Sequence, residues 1–156
     1  MAVSAQIRVR VDQRIQTGVE HRRPISWVLA KAVAEYLPLD RARRTEFRVV
    51  RAFAGRAIDV PALAEVDLAT AQALRSDIAQ AIHNGKECGE VLPRLDPGPA
   101  AVRIAAMIEG LATQVYRDPH DVNGVPTAEL AASVITTELA TVFTGDCRQY
   151  DGKGDD

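Results

Sequence analysis

The sequence predicts an all-α domain, a helical bundle of about six helices, and three observations carry that expectation. Hydrophobic residues make up 47% of the 156 positions while aromatics reach only 4%. Such an apolar set, rich in Ala and Leu, favours helices over the β-branched and aromatic runs of sheet proteins. Glycine and proline mark off helical lengths at Gly18 with Pro24, Pro38, Gly55 with Pro61, Gly85 with Gly89, Pro93 to Pro99 and Pro119 to Pro126. Between these breaks, apolar residues recur three and four positions apart.

The first helix is expected near Val3 to Val19. Ile7 to Val11 alternates like a strand, but Val3, Ile7, Val11 and Ile15 repeat every four residues and favour a helix. The second runs from Pro24, a good first-turn residue, to Leu37, and the third from a cap at Asp40 to about Phe53. The fourth spans Pro61 to Asn84 with a stripe of Leu63, Val66, Leu74, Ile78 and Ile82, and Gly85 is expected to stop it. Asp96-Pro97 is a cap and first-turn pair for the fifth, where Ala101, Ile104, Ala105, Ile108, Ala112 and Val115 keep helical spacing to Tyr116. The sixth begins at Pro126-Thr127 and carries Ala128, Ala131, Ala132, Ile135, Leu139, Val142 and Phe143 on one face. Residues 1–145 thus form one domain, and 146–156 are expected as a polar, frayed tail.

The charge is unevenly placed. Residues 1–56 hold twelve Lys and Arg against five Asp and Glu, net +7, while the remainder hold seven against sixteen, net −9. A basic segment can be a nucleic-acid footprint, but these arginines lie on several helix faces without interleaved stacking aromatics, so solvated faces account for most of them. Cys88 and Cys147 stand far apart in sequence and form no Cys-x-x-Cys pair, which indicates free thiols in place of a disulfide framework or zinc knuckle. The chain has no apolar run of membrane-spanning length and no signal core after Arg8, Arg10 and Arg14, so a cytoplasmic protein without a membrane partner is expected.

Catalytic chemistry finds no support. His21, His83 and His120 are too scattered for metal-ligand spacing, and Ser4, Ser26, Ser76 and Ser133 lack a nucleophile-elbow setting. Glu87, Glu90 and Asp96 lie in a Gly/Pro-punctuated connection, where carboxylates are expected to stay solvated. No enzyme, metal or cofactor is expected.

The stretch Asn84-Gly-Lys-Glu-Cys88-Gly-Glu-Val-Leu-Pro-Arg-Leu-Asp-Pro97, followed by an Ala-rich helix with Met107-Ile-Glu-Gly-Leu111 and Gln114 and then Asp118-Pro119, resembles the C-terminal domains of TetR-family transcriptional regulators, the betaine-repressor type above all. Leu37-Pro-Leu-Asp40 with Arg43-Arg44 and Glu46-Phe-Arg-Val49 resembles the same subgroup, so the likeness runs from about Val11 to Phe143. Members of the family carry a helix-turn-helix ahead of this domain, and the chain here opens in what resembles the first helix of the sensing domain, so the reading head is expected to be absent. Ile25 to Phe47 is the local candidate for such a motif, but its joint at Pro38-Leu39 lacks the usual turn glycine.

The resemblance implies an effector-sensing and dimerising domain of a repressor, which binds a small apolar effector in a cavity walled by helices two to five. DNA would be a partner only if a helix-turn-helix lies upstream. Trp27, Phe47, Phe53 and Met107 are the candidate lining, with plain core packing as the competing reading. A homodimer is expected through the last two helices, using Met107, Gly110, Leu111 and Gln114 on the fifth and Leu130, Val134, Thr137 and Thr141 on the sixth, where small and semi-polar residues permit close approach. Two further readings are a helical DNA-binding protein that uses the basic N-terminal third, and a dimerisation partner without a ligand of its own.

Overall fold

In a computed structural model, residues 2–149 form six α-helices and one short hairpin: α1 (Ala2–Glu20), α2 (Ile25–Ala34), α3 (Arg41–Ala57), α4 (Pro61–Cys88), α5 (Pro97–Arg117), β1 (Asp121–Val122), β2 (Val125–Pro126) and α6 (Thr127–Ala140). The all-α expectation holds. The four-residue apolar repeat prevails over the strand-like alternation in α1, where Val11 is buried and Val3 and Ile7 are half-buried, though Ile15 remains exposed.

The core lies among α2, α4, α5 and α6. Leu29, Val33 and Leu37 meet Ile78 and Ile82, Ile104 and Ile108, and Ile135, Leu139 and Val142. Each aliphatic side chain so enclosed contributes about 1.5–3 kcal/mol. Only the second half of the expected α4 stripe reaches this core: Leu63 and Leu74 are half-buried and Val66 is exposed. A helix of 28 residues extends about 42 Å, longer than the elements it packs against, so part of its length lies beyond the core.

Local chemistry sets the helix starts. Asp40, with extended backbone, accepts the Arg43 N–H at 2.8 Å, and Asp96 accepts the Gly98 N–H at 3.0 Å. These side chains satisfy donors that the first turn leaves without a helical acceptor. The stop of α4 differs from the sequence expectation. Gly85 stays helical, and the chain turns at Gly89, whose φ of 99° falls in the left-handed region that glycine enters without Cβ strain. A Cβ at Gly85 would lie 2.7 Å from Val91 and 2.9 Å from Phe143, so this glycine serves close packing and not termination. The hairpin between α5 and α6 was not expected. Its turn is Asn123-Gly124, with φ of 53° and 81°, the pairing that a two-residue hairpin turn with both central residues left-handed demands.

α6 ends at Ala140, and the segment after it is not frayed as far as residue 149. Phe143 bridges Val91, the Gly145 N–H donates to the Glu90 carbonyl at 3.0 Å, and the Arg148 N–H donates to the Cys88 carbonyl at 2.7 Å. Cys147 is buried. Residues 150–156 of the expected tail lie outside the described residues.

Candidate functional site

Two buried carboxylates organise the bundle. Glu35, just past α2, accepts from Arg10 Nε at 3.1 Å and Arg14 Nε at 2.7 Å on α1, and from Arg43 Nη1 at 3.3 Å on α3. Arg10 also grips Glu46 with two bonds, at 2.9 and 2.6 Å, while Arg8 pairs with Asp77. Most of the basic residues of the N-terminal third are exposed, as solvated faces require, but Arg10 and Arg43 are half-buried at joints between helices.

The second carboxylate, Glu90, is also buried, against the expectation that the acids of this connection stay solvated. Its oxygens accept the Ile25 N–H at 2.6 Å and the Ser26 N–H at 2.9 Å. Because the residue preceding α2 is Pro24, which offers no side-chain cap, Glu90 caps that helix from 65 residues away, where a negative charge also complements the helix dipole. Cys88 Sγ donates to the same carboxylate at 3.3 Å.

The Phe47 ring lies 4.9 Å from that of Tyr116, tilted by 30°. The pair floors an open cleft of about 360 Å³ between α3 and α5, completed by Arg48, Arg51, Thr113 and Arg117. Beside it, the Arg44 guanidinium stacks over Tyr116 at 4.5 Å, and its Nη2 donates to the Tyr116 carbonyl at 3.1 Å. Arg44 Nη1 is buried without a hydrogen-bond partner among the described residues. The cleft thus combines an aromatic floor with a cationic rim.

Of the four expected lining residues, only Phe47 belongs to this cleft. Trp27 lies at the surface of α2, its ring between Arg23 at 5.3 Å and Lys31 at 5.5 Å. Phe53 is half-buried on α3, and Met107 packs half-buried against the core from α5. Tyr116 and the arginines were missed, although Phe47, Arg48 and Arg51, like Thr113, Tyr116 and Arg117, fall at helical spacings that place each trio on one face.

Each of the eight residues expected at a dimer face lies outside the buried stripes of α5 and α6. Gly110, Gln114, Thr137 and Thr141 are exposed, while Met107, Leu111, Leu130 and Val134 are half-buried. Arg103 ties the two helices together through Glu138 and through Thr141 Oγ1 at 2.6 Å.

The family description "BetI-type transcriptional repressor, C-terminal" matches residues 28–144. The chain belongs to this TetR-type family. Two solved structures share the fold. One, a TetR-family transcriptional regulator from Rhodococcus sp., is 20% identical, with a TM-score of 0.74 over 91% of this chain and 70% of the other. The second, a transcriptional regulator from Rhodococcus sp. Rha1, is 24% identical, with a TM-score of 0.65 over 91% of this chain and 71% of the other. Comparison with curated proteins finds no match. As in a TetR-type C-terminal domain, the elements are helical throughout but for the hairpin, and no helix among the described residues is long and apolar enough to cross a membrane.

Proposed function

We propose that this TetR-type domain is the effector-sensing and dimerising part of a cytoplasmic transcriptional repressor. Its effector is a small, largely apolar molecule that carries an acidic group. The observation that carries this reading is the Phe47–Tyr116 floor rimmed by Arg48, Arg51 and Arg117. The aromatic floor suits an apolar body, and the guanidinium groups favour a carboxylate or similar anion through charge-assisted hydrogen bonds. The expectation of a small apolar effector is narrowed accordingly.

Helix α5 connects the two halves of the proposal. Thr113, Tyr116 and Arg117 line the cleft, while the exposed Gly110 and Gln114 and the half-buried Met107 and Leu111 lie on the same helix. A ligand that prefers one position of α5 shifts the balance between two packings of a dimer and so changes the spacing of attached DNA-reading heads. No catalytic step is part of this function.

The engagement of Arg10, Arg14 and Arg43 with Glu35 weighs against DNA recognition by the basic N-terminal third. A thermal-shift screen that pairs aromatic and aliphatic carboxylates with their neutral amides tests the effector reading. Saturation at a hundred times the dissociation constant stabilises by about 2.7 kcal/mol, so acids should raise the melting temperature by several degrees more than amides. The shift should vanish in Phe47→Ala and shrink in Arg48→Ala/Arg51→Ala. Shifts that survive all these changes, or a broad screen without any shift, reject the cleft.

A further inference from the structure

We propose that Cys88 and Cys147 form a redox-responsive dithiol, which closes to an intramolecular disulfide on exposure to a peroxide and fastens the segment after α6 to the end of α4. This goes beyond effector binding and does not depend on it. The two sulfur atoms and a Glu90 oxygen lie within 4.8 Å of one another, and all three residues are buried. Their backbones are already in register, because the Arg148 N–H donates to the Cys88 carbonyl at 2.7 Å and the Gly145 N–H to the Glu90 carbonyl at 3.0 Å. Closure to the roughly 2.05 Å of a disulfide therefore asks for side-chain rotation and not for a chain movement.

The surroundings assign separate roles to the two thiols. Cys88, at 1% exposure, donates to Glu90, and its pKa is pushed up to about 12, chiefly by burial and then by the neighbouring Cys147 sulfur. It stays protonated. Cys147, at 8% exposure, sits in the irregular segment beyond the last helix, so it meets the oxidant first. The Cys147 sulfur attacks the peroxide and becomes a sulfenic acid as water leaves. Cys88 then attacks that sulfur and passes its proton to Glu90, 3.3 Å away, which returns it to the departing hydroxide as a second water. Two thiols and one peroxide thus yield one disulfide and two waters.

A bound cation suits the cluster less well. Glu90 already accepts two backbone N–H groups, and these three residues would leave a tetrahedral metal short of its fourth ligand. Disulfides in reducing compartments are characteristically transient sensors, and this pair is placed so that oxidation joins residues 59 positions apart.

The test treats the folded, reduced chain with hydrogen peroxide. The expected result is a product with no covalent link between chains that has lost two hydrogens per chain by mass, both thiols unreactive after denaturation, and a linked peptide pair reversed by dithiothreitol. Closing so long a loop should raise the melting temperature by roughly 5–10 °C. In Cys88→Ser, Cys147 should accumulate as a sulfenic acid trapped by dimedone, because the second step lacks its thiol. Both thiols remaining free after peroxide, links formed only between chains, or stoichiometric zinc uptake by the reduced chain in place of oxidation would overturn the proposal.

Discussion

Glu35 receives Arg14 Nε at 2.7 Å while almost enclosed by protein, at 4% exposure. Arg10 and Arg43 close on the same carboxylate, so three helices meet at one buried negative charge. Removal of the shared partner breaks all three contacts at once, although Arg10 keeps Glu46 and Arg43 keeps Asp40, whereas removal of one arginine leaves the carboxylate still paired. Glu35→Ala should therefore cost about 3 kcal/mol, and Arg14→Ala, whose side chain is 54% exposed, less than about 1 kcal/mol. Urea denaturation of the two variants checks the ratio, and equal losses would show that the hub is not shared.

The Asp40 cap brings an acid dependence. The Arg43 N–H, and after it the Arg43 guanidinium, hold the Asp40 carboxyl below its usual range. A group whose folded pKa is depressed stabilises the fold above its unfolded value, near pH 4, and loses that contribution as pH falls through the lower folded value. Asp40→Ala should cost about 1 kcal/mol at neutral pH. The gap between wild type and variant should narrow below about pH 4. A gap constant from pH 7 to pH 3 would contradict the cap.

Three glycines inside helices should respond oppositely to alanine. Gly55 and Gly110 have nothing within 4 Å of an added Cβ, while Gly85 meets Val91 and Phe143. Gly55→Ala and Gly110→Ala should each gain about 0.5–1 kcal/mol from helix propensity. Gly85→Ala should lose about 1–3 kcal/mol through overpacking. Thermal melts of the three variants decide this, and a stabilised Gly85→Ala would mean that the seam between α4 and the segment after α6 is looser than described.

The proposed dimer face makes Gly110 informative a second time. Gly110→Arg and Val134→Arg each place two unpaired charges in a twofold interface, which should convert dimer to monomer or aggregate. Light scattering at tens of micromolar, with Gly110→Ala alongside as the uncharged control, is the measurement. A monomeric wild type, or two arginine variants that remain dimeric, would reject α5 and α6 as the interface.

The DNA-binding alternative has its own measurement. With Arg10, Arg14 and Arg43 turned onto Glu35, the chain by itself should show only weak association with DNA that salt abolishes and that ignores sequence. Nanomolar selectivity for a palindrome at physiological salt would overturn that expectation.

The set of helices and most of their starts are legible in the sequence, because those depend on neighbours along the chain, while their ends are less so: α2 stops at Ala34, α3 runs to Ala57 and α4 to Cys88. Asp40 and Asp96 cap the turns that follow them, Pro61 and Pro97 open helices, and a four-residue repeat keeps α1 helical. The Asn123-Gly124 hairpin was equally written there, in a dipeptide whose turn preference is local. The relationships of consequence to function were decided by tertiary structure alone. Glu90 caps a helix 65 residues earlier, Cys88 meets Cys147, Phe47 finds Tyr116, and Trp27 turns out to the surface. Periodicity states which face of a helix is apolar, but not which helix will meet it or at what height. Those choices are settled when all the faces are packed at once, and with them which charges and thiols share one buried space.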